Sequence, residues 1–246
     1  MDALILAAGK GRRLRLSTPK CLVELGGRPL IEHQLEALAW AGVERVVVVA
    51  GYRADRVRAT LPPGTPVVVN DDYAETNSLY SFWLARHEIG EDVIVLNSDV
   101  LFHPVIARAL VRRERSALAF DSLTGRGPEE MKLLVHGGRL ATMSKTLAPE
   151  RSCGENVGMI RLDAAAAETA FAAAGSLVAA GHERDWLASA INRVARAHAI
   201  DCLDVATLPW TEIDFPEDLD HARDRVLPAI GPVPVHAGAS RLLAAA

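Results

Sequence analysis

The chain has 246 residues, 50% of them hydrophobic but only 5% aromatic, with 24% charged and a formal net charge of −4 at pH 7. This is the composition of an Ala/Val/Leu-packed globular protein, which excludes a disordered chain and argues against bulk nucleic-acid binding. Cys21, Cys153 and Cys202 are odd in number and form no CxxC pair, so neither a disulfide framework nor a zinc site is indicated.

The opening MDALILAAGKGRR places its basic residues after a short apolar run, the reverse of a signal peptide. No stretch approaches the ~20 apolar residues of a membrane span. A cytoplasmic protein with no membrane or nucleic-acid partner is expected. Ala3 to Ala7 reads as a short buried strand ending at Gly9. Ile31, Leu35 and Leu38 recur at helical spacing, closed by Gly42. Val46 to Ala50 and Val67 to Asn70 read as strands, the second after a Pro-Pro-Gly turn at 62–64. Leu79, Phe82, Trp83 and Arg86 mark a helix, and Val93 to Leu96 the next strand, ending at Asn97-Ser98-Asp99. Such alternation predicts an α/β, Rossmann-like fold, a mostly parallel sheet sandwiched by helices, with ligands at the carboxyl ends of the strands.

The second half differs in texture. Ala117 to Phe120 reads as a strand, and Met131 to Val135 and Arg139 to Met143 flank Gly137-Gly138 as a hairpin. Val157 to Leu162 is a further strand, followed by helical stretches from Asp163 to Ala180 and from Arg184 to Ala197. No internal repeat or interdomain linker interrupts the chain. One domain over residues 1–228 with a loosely attached tail over 229–246 is expected.

Three constellations carry chemistry. The first is Leu6-Ala7-Ala8-Gly9-Lys10-Gly11-Arg12-Arg13 followed by Pro19-Lys20. Small residues after a strand let the backbone approach a ligand, and exposed N–H groups with basic side chains suit a polyphosphate. A plain βα turn with solvated arginines is the alternative. A dinucleotide fingerprint would need glycine where Leu14 stands, which disfavours a nicotinamide-dependent oxidoreductase, and a Walker loop would need GKS or GKT. The second pairs Asp99, at the end of a strand, with Asp214 in Glu212-Ile213-Asp214. Two carboxylates plus substrate phosphates suffice for magnesium, although either aspartate would also serve as a helix cap. The third comprises Lys132 and Lys145 near the predicted hairpin, two cations able to grip a phosphate or simply to face solvent. Trp83, Trp186 and Trp210 suit either core packing or an aromatic cage for a quaternary ammonium group.

LAAGKGRRL followed by PKCLVELGGRPLIEHQLEAL resembles the signature of the sugar-phosphate nucleotidyltransferases. Gly51-Tyr52, the run from Tyr73 to Ser81, Glu129-Glu130-Met131-Lys132, Ser144-Lys145, Gly154-Glu155-Asn156-Val157-Gly158 and Trp210 to Asp214 resemble the phosphocholine cytidylyltransferase-like branch, which also includes enzymes acting on phosphonates and inositol phosphate. The resemblance runs from residue 1 to about Val226. It implies a glycosyltransferase-A-like fold with a small antiparallel insertion on the acceptor side.

It further implies catalytic cations at Lys20 and Arg13, with Lys20 near the α-phosphate. The nucleotide would lie on Leu6, Ala7, Ala8, Gly9, Gly11, Arg12, Gly51, Thr76, Asn77 and Ser78. Lys132, Lys145, Glu155, Asn156 and Tyr80 would hold the acceptor, and Asp99 and Asp214 a Mg2+ ion. Only Leu14 to Thr18 separate Arg13 from Pro19-Lys20, a shorter path than the family's, so the separate roles of Arg12, Arg13 and Arg15 stay open. The implied reaction joins CTP to a small phosphomonoester or phosphonate, such as phosphocholine, a 2-aminoethylphosphonate-like compound or a polyol phosphate, with release of pyrophosphate. The alternatives are a sugar-1-phosphate nucleotidyltransferase using UTP, dTTP or GTP and a non-catalytic nucleotide-binding regulator. A homodimer is compatible with either.

Overall fold

Residues Asp2–Ala7 form the central strand, β1, and their two faces organise the molecule. Ala3, Ile5 and Ala7 point into one apolar cluster, Leu4 and Leu6 into another, because successive side chains of a strand alternate. Both sets are buried, so the strand reads as a continuous apolar run.

The computed structural model describes residues 1–14, 16–125 and 127–233; Arg15 and positions 234–246 of the expected tail lie outside the described residues. After β1 come β2 (Glu24–Leu25), β3 (Arg28–Pro29), α1 (Leu30–Ala41), β4 (Arg45–Ala50), α2 (Ala54–Thr60), β5 (Val67–Val69) and α3 (Ser78–Leu84). Next are β6 (Val93–Asn97), β7 (Val100–Phe102), α4 (Pro104–Val111), β8 (Ala117–Asp121), β9 (Lys132–His136), β10 (Arg139–Ser144) and β11 (Gly154–Leu162). The chain continues through α5 (Ala164–Ala179), α6 (Ala188–Ala197), β12 (Asp201–Asp204), β13 (Trp210–Glu212), α7 (Pro216–His221) and α8 (Leu227–Ile230). Ile31, Leu35 and Leu38 of α1 pack with Ile106 and Leu110 of α4 on one face of the sheet. Leu79 and Phe82 of α3 pack with Ala170 and Ala174 of α5 on the other. Gly42 caps α1 at a φ of 98°, in the left-handed region that glycine enters without a side-chain clash.

The main sheet runs β5-β4-β1-β6-β11-β8-β12-β10-β9. It is mixed rather than mostly parallel. β5, β4, β1 and β6 are parallel, but β11 runs antiparallel to both β6 and β8. The reason is connectivity: no helical crossover joins β8 to β9, β9 to β10 or β10 to β11, so nothing forces these strands to run the same way. The antiparallel part also closes on itself, since Gly154 and Glu155 of β11 pair with Leu133 and Lys132 of β9. The helix expected from Arg184 starts at Ala188 instead. Residues 183–187 are held by the start of α3: Asn77 N donates to Glu183 O at 2.9 Å and Leu187 N to Ser78 Oγ at 2.9 Å.

Candidate active site

A cavity of about 650 Å³ opens at the carboxyl ends of β1 and β6, where an open α/β sheet leaves room between its helices. One wall is the loop after β1, with Ala8, Gly9, Gly11, Arg12 and Arg13. Lys20 enters beneath it. Gly11 has a φ of 61°, and a Cβ there would lie 2.6 Å from Lys20 Cγ. The glycine therefore admits both the turn and the lysine stem.

Two distant segments meet over this lysine. Val100 begins β7 immediately after Asp99, and β13 pairs antiparallel with it, Glu212 opposite Val100. Ile213 N then donates to Asp99 O at 2.8 Å, which carries Asp214 alongside Asp99. Ile213 is fully buried in a cluster with Leu14, Leu25 and Leu101, and the alternation of the extended chain turns its neighbours Glu212 and Asp214 to the cavity. Carboxylate oxygens of Asp99, Glu212 and Asp214 all lie within 4.8 Å of one another.

Lys20 Nζ donates to Asp99 Oδ2 at 2.9 Å and to Asp214 Oδ1. Arg13 donates to the other oxygen of Asp214 and, at 2.8 Å, to Glu129. Burial alone would lower the Lys20 pKa, but Asp99 and Asp214 outweigh it and hold the ammonium above its ordinary value. Lys20 is thus a fixed cation, not a base. Glu212 is pushed up to about 8 by burial, and then by the charges of Asp99 and Asp214. Neither aspartate caps a helix: His103 caps α4, and Asp218 accepts the Asp214 and Phe215 N–H groups at 3.0 and 2.8 Å.

Leu6, Thr76, Asn77 and Ser78 line the same cavity, with Asn70 and Tyr73. Asn77 is also the N-cap of α3, its side chain accepting from Ser78 N at 2.8 Å. Ala7 is buried beneath the loop. Gly51 does not line the cavity; a Cβ there would lie 2.6 Å from Tyr73 Cβ and 2.8 Å from Ala8 O, so it lets two loops touch.

The expected acceptor residues divide. Lys145 and Asn156 line the cavity beside Met131, Met143, Trp186 and Ile191. The Lys145 ammonium lies 4.5 Å from the centre of the Trp186 ring and 3.8 Å from Glu129. Lys132, Glu155 and Tyr80 are not in its lining. Lys132 is only 2% exposed and donates to Gly127 O at 2.7 Å and Glu130 O at 3.4 Å. Glu155, opposite it on β11, is buried near Thr124. Tyr80 packs against Trp83, and the Arg86 guanidinium lies 4.0 Å from the centre of that ring. The three tryptophans form no cage, since Trp210 Nε1 donates to Asp121 at 2.8 Å and only Trp186 reaches the cavity.

Glu212 and Glu129 appear in the sequence reading only as members of motifs, with no role of their own. The signal for Glu212 was present in its spacing of two from Asp214, which puts both on one side of an extended segment. Glu129 carries no such signal, because its loop is irregular.

A family model described as a MobA-like NTP transferase domain matches residues 3–245. The choline-phosphate cytidylyltransferase of Streptococcus pneumoniae is 35% identical over 116 residues, 46% of this chain and 51% of that protein. The CMP-5'-(3-aminopropyl)phosphonate synthase of Streptomyces rubellomurinus is 30% identical over 261 residues, 92% of this chain and 39% of that protein. The chain thus matches about half the length or less of these curated relatives. The inositol-1-phosphate CTP transferase from T. maritima superimposes with a TM-score of 0.78 at 23% identity, covering 95% of this chain and 98% of that one, a likeness of fold. No helix among the described residues is long and apolar enough to cross a membrane.

Proposed function

Because the chain belongs to the family of MobA-like NTP transferase domains, we propose that it is a magnesium-dependent cytidylyltransferase joining CTP to a small phosphomonoester or phosphonate. The observation that carries this reading is the meeting of Lys20 with Asp99, Glu212 and Asp214 at the mouth of one cavity. The curated relatives named above, which act on choline phosphate and an aminoalkylphosphonate, supply the donor and the acceptor class.

The donor set fits a divalent cation. Its ligands would be oxygens, as magnesium requires, and Asp99 Oδ1 is buried without a hydrogen-bond partner among the described residues. Asp99 and Asp214, with Glu212 beside them, would hold Mg2+, which when bound supplies positive charge to the phosphate oxygens.

This chain's residues do the rest. The backbone from Ala8 to Gly11 and the side chains of Arg12 and Arg13 bind the triphosphate, and Lys20 stands by the α-phosphate. Lys145 and Asn156 orient the acceptor. An acceptor oxygen attacks the α-phosphorus in line; the new P–O bond forms as the bond to the β-phosphate oxygen breaks, and pyrophosphate leaves. The acceptor is already anionic, so no general base is needed, and rate comes from positioning and charge.

Pyrophosphate release, measured with CTP, UTP, dTTP or GTP against choline phosphate, aminoalkylphosphonates, inositol phosphate and sugar 1-phosphates, tests the reading. CTP with one of the first three acceptors is the expected pair. Turnover with a sugar 1-phosphate and another nucleotide would replace it with the sugar-nucleotide reading, and no release with any pair would leave a nucleotide-binding regulator.

A further inference from the structure

We propose that Glu129 is a built-in competitor of the substrate phosphates, the anion that must be displaced from Arg13 and Lys145 before both substrates can seat. The proposal rests on the reading that these two cations receive phosphate groups.

One carboxylate oxygen joins the two sides of the cavity. Glu129 Oε2 accepts from Arg13 Nη1 at 2.8 Å and lies 3.8 Å from Lys145 Nζ. Arg13 comes from the loop after β1 and Lys145 follows β10, so the pairing spans the mouth from the donor wall to the acceptor wall. Packing does not require it. The Glu129 side chain is 63% exposed, and an exposed ion pair contributes little to stability.

The loop that presents Glu129 is nonetheless constructed with care for its course. Lys132 lies under it, nearly out of solvent, and a buried ammonium is tolerable only when its donors are satisfied. Its two acceptors, the carbonyls of Gly127 and Glu130, flank Glu129 in sequence. Gly127 also passes so close to the Glu130 carboxylate that a Cβ would lie 2.4 Å from Oε2. Lys132 therefore acts as a positioning residue for the loop, which explains why it lies away from the cavity wall while belonging to the same Glu-Glu-Met-Lys run.

A guanidinium fork binds carboxylate and phosphate by the same charge-assisted hydrogen bonds. Glu129 and a substrate phosphate consequently compete for Arg13. Every phosphate that binds must first break a pair that costs the protein little to hold. This lowers affinity with no direct contact between Glu129 and Asp99, Glu212 or Asp214 among those described, the shared neighbour being Arg13, whose other nitrogen pairs with Asp214.

The test is a calorimetric titration of the full chain with pyrophosphate in the presence of magnesium. Pyrophosphate carries no base and is independent of which nucleotide is used. Glu129→Gln should bind it about three- to tenfold more tightly than wild type, the size expected from removing one or two exposed ion pairs. Glu129→Ala should shift in the same direction, and a thermal melt confirms that both variants are folded. A purely structural loop residue would give unchanged or weaker binding when altered, and either result overturns the proposal while leaving the functional reading in place. If neither wild type nor variant binds pyrophosphate, the functional reading falls and the proposal with it.

Discussion

Asp99 Oδ2 accepts a hydrogen bond from Lys20 Nζ at 2.9 Å, while its second oxygen is buried and has no hydrogen-bond partner among the described residues. A carboxylate half-satisfied in this way suits a cation better than it suits the fold alone. Asp99→Asn should therefore cut turnover by about a thousandfold, the scale of losing a preorganised charge at a reacting phosphate. Stability should hold or rise, because the substitution removes one of three crowded carboxylates. Magnesium should raise the melting temperature of wild type but not of the variant. Near-normal turnover in Asp99→Asn would remove it from the site.

Lys20 gives the complementary case. Its side chain is 13% exposed, between acids that are themselves mostly covered. Lys20→Met should abolish measurable turnover and also destabilise the protein by about 3 kcal/mol in metal-free buffer, since Asp99 loses its counter-charge and Asp214 keeps only Arg13. Adding magnesium should restore much of that stability without restoring activity. Melting curves with and without the metal, set beside pyrophosphate release, separate the two effects.

Gly11 tests whether the position of Lys20 matters as well as its charge. A methyl group at Gly11 would meet the lysine stem at 2.6 Å, in a backbone conformation with φ of 61°. The conformation costs an L-residue about 1–2 kcal/mol, and the contact displaces the ammonium. Gly11→Ala should lower kcat by about a hundredfold, as ångström-scale misplacement does elsewhere. Circular dichroism should stay native-like. An unaltered kcat would mean that the lysine reaches its place by another path.

Much of this site was legible because its parts obey local rules. The loop from Ala8 to Arg13 follows an apolar strand and carries two glycines, so its place at a carboxyl end could be read directly from the sequence. Asp99 and Asp214 were legible as candidates, but their meeting depends on β7 and β13, each only three residues long and too short to carry a period. α4 was not placed although Pro104 at its first position is a helix-start signal, its eight residues being short for a period, and α2 was missed because Val57 is its one buried residue. Lys132 is the opposite case. Its motif pointed to an acceptor contact, whereas the ammonium turns inward to two loop carbonyls, a destination that no spacing in the chain encodes.

Glu155 should govern how stability responds to pH. Burial pushes its carboxyl from an ordinary 4.5 up to about 7, with Glu130 and Asp121 adding to the shift and Thr124 and Lys132 opposing it. The folded protein therefore keeps a proton that the unfolded chain releases near 4.5. Where the native state binds more protons than the unfolded one, stability falls as pH rises. The contribution of this group is complete below about pH 4.5, is lost progressively up to about 7, and stays lost above that. Glutamine is neutral throughout and keeps the shape of the protonated acid. Glu155→Gln should thus match wild type near pH 5 and exceed it at pH 8, by about 2–3 kcal/mol for a carboxyl shifted this far by burial. Urea unfolding at a series of pH values reads this directly: the gap between variant and wild type must widen with rising pH. A gap that is constant, or that closes as pH rises, would mean that Glu155 is ionised in the folded protein and that Lys132 serves it as a counter-charge.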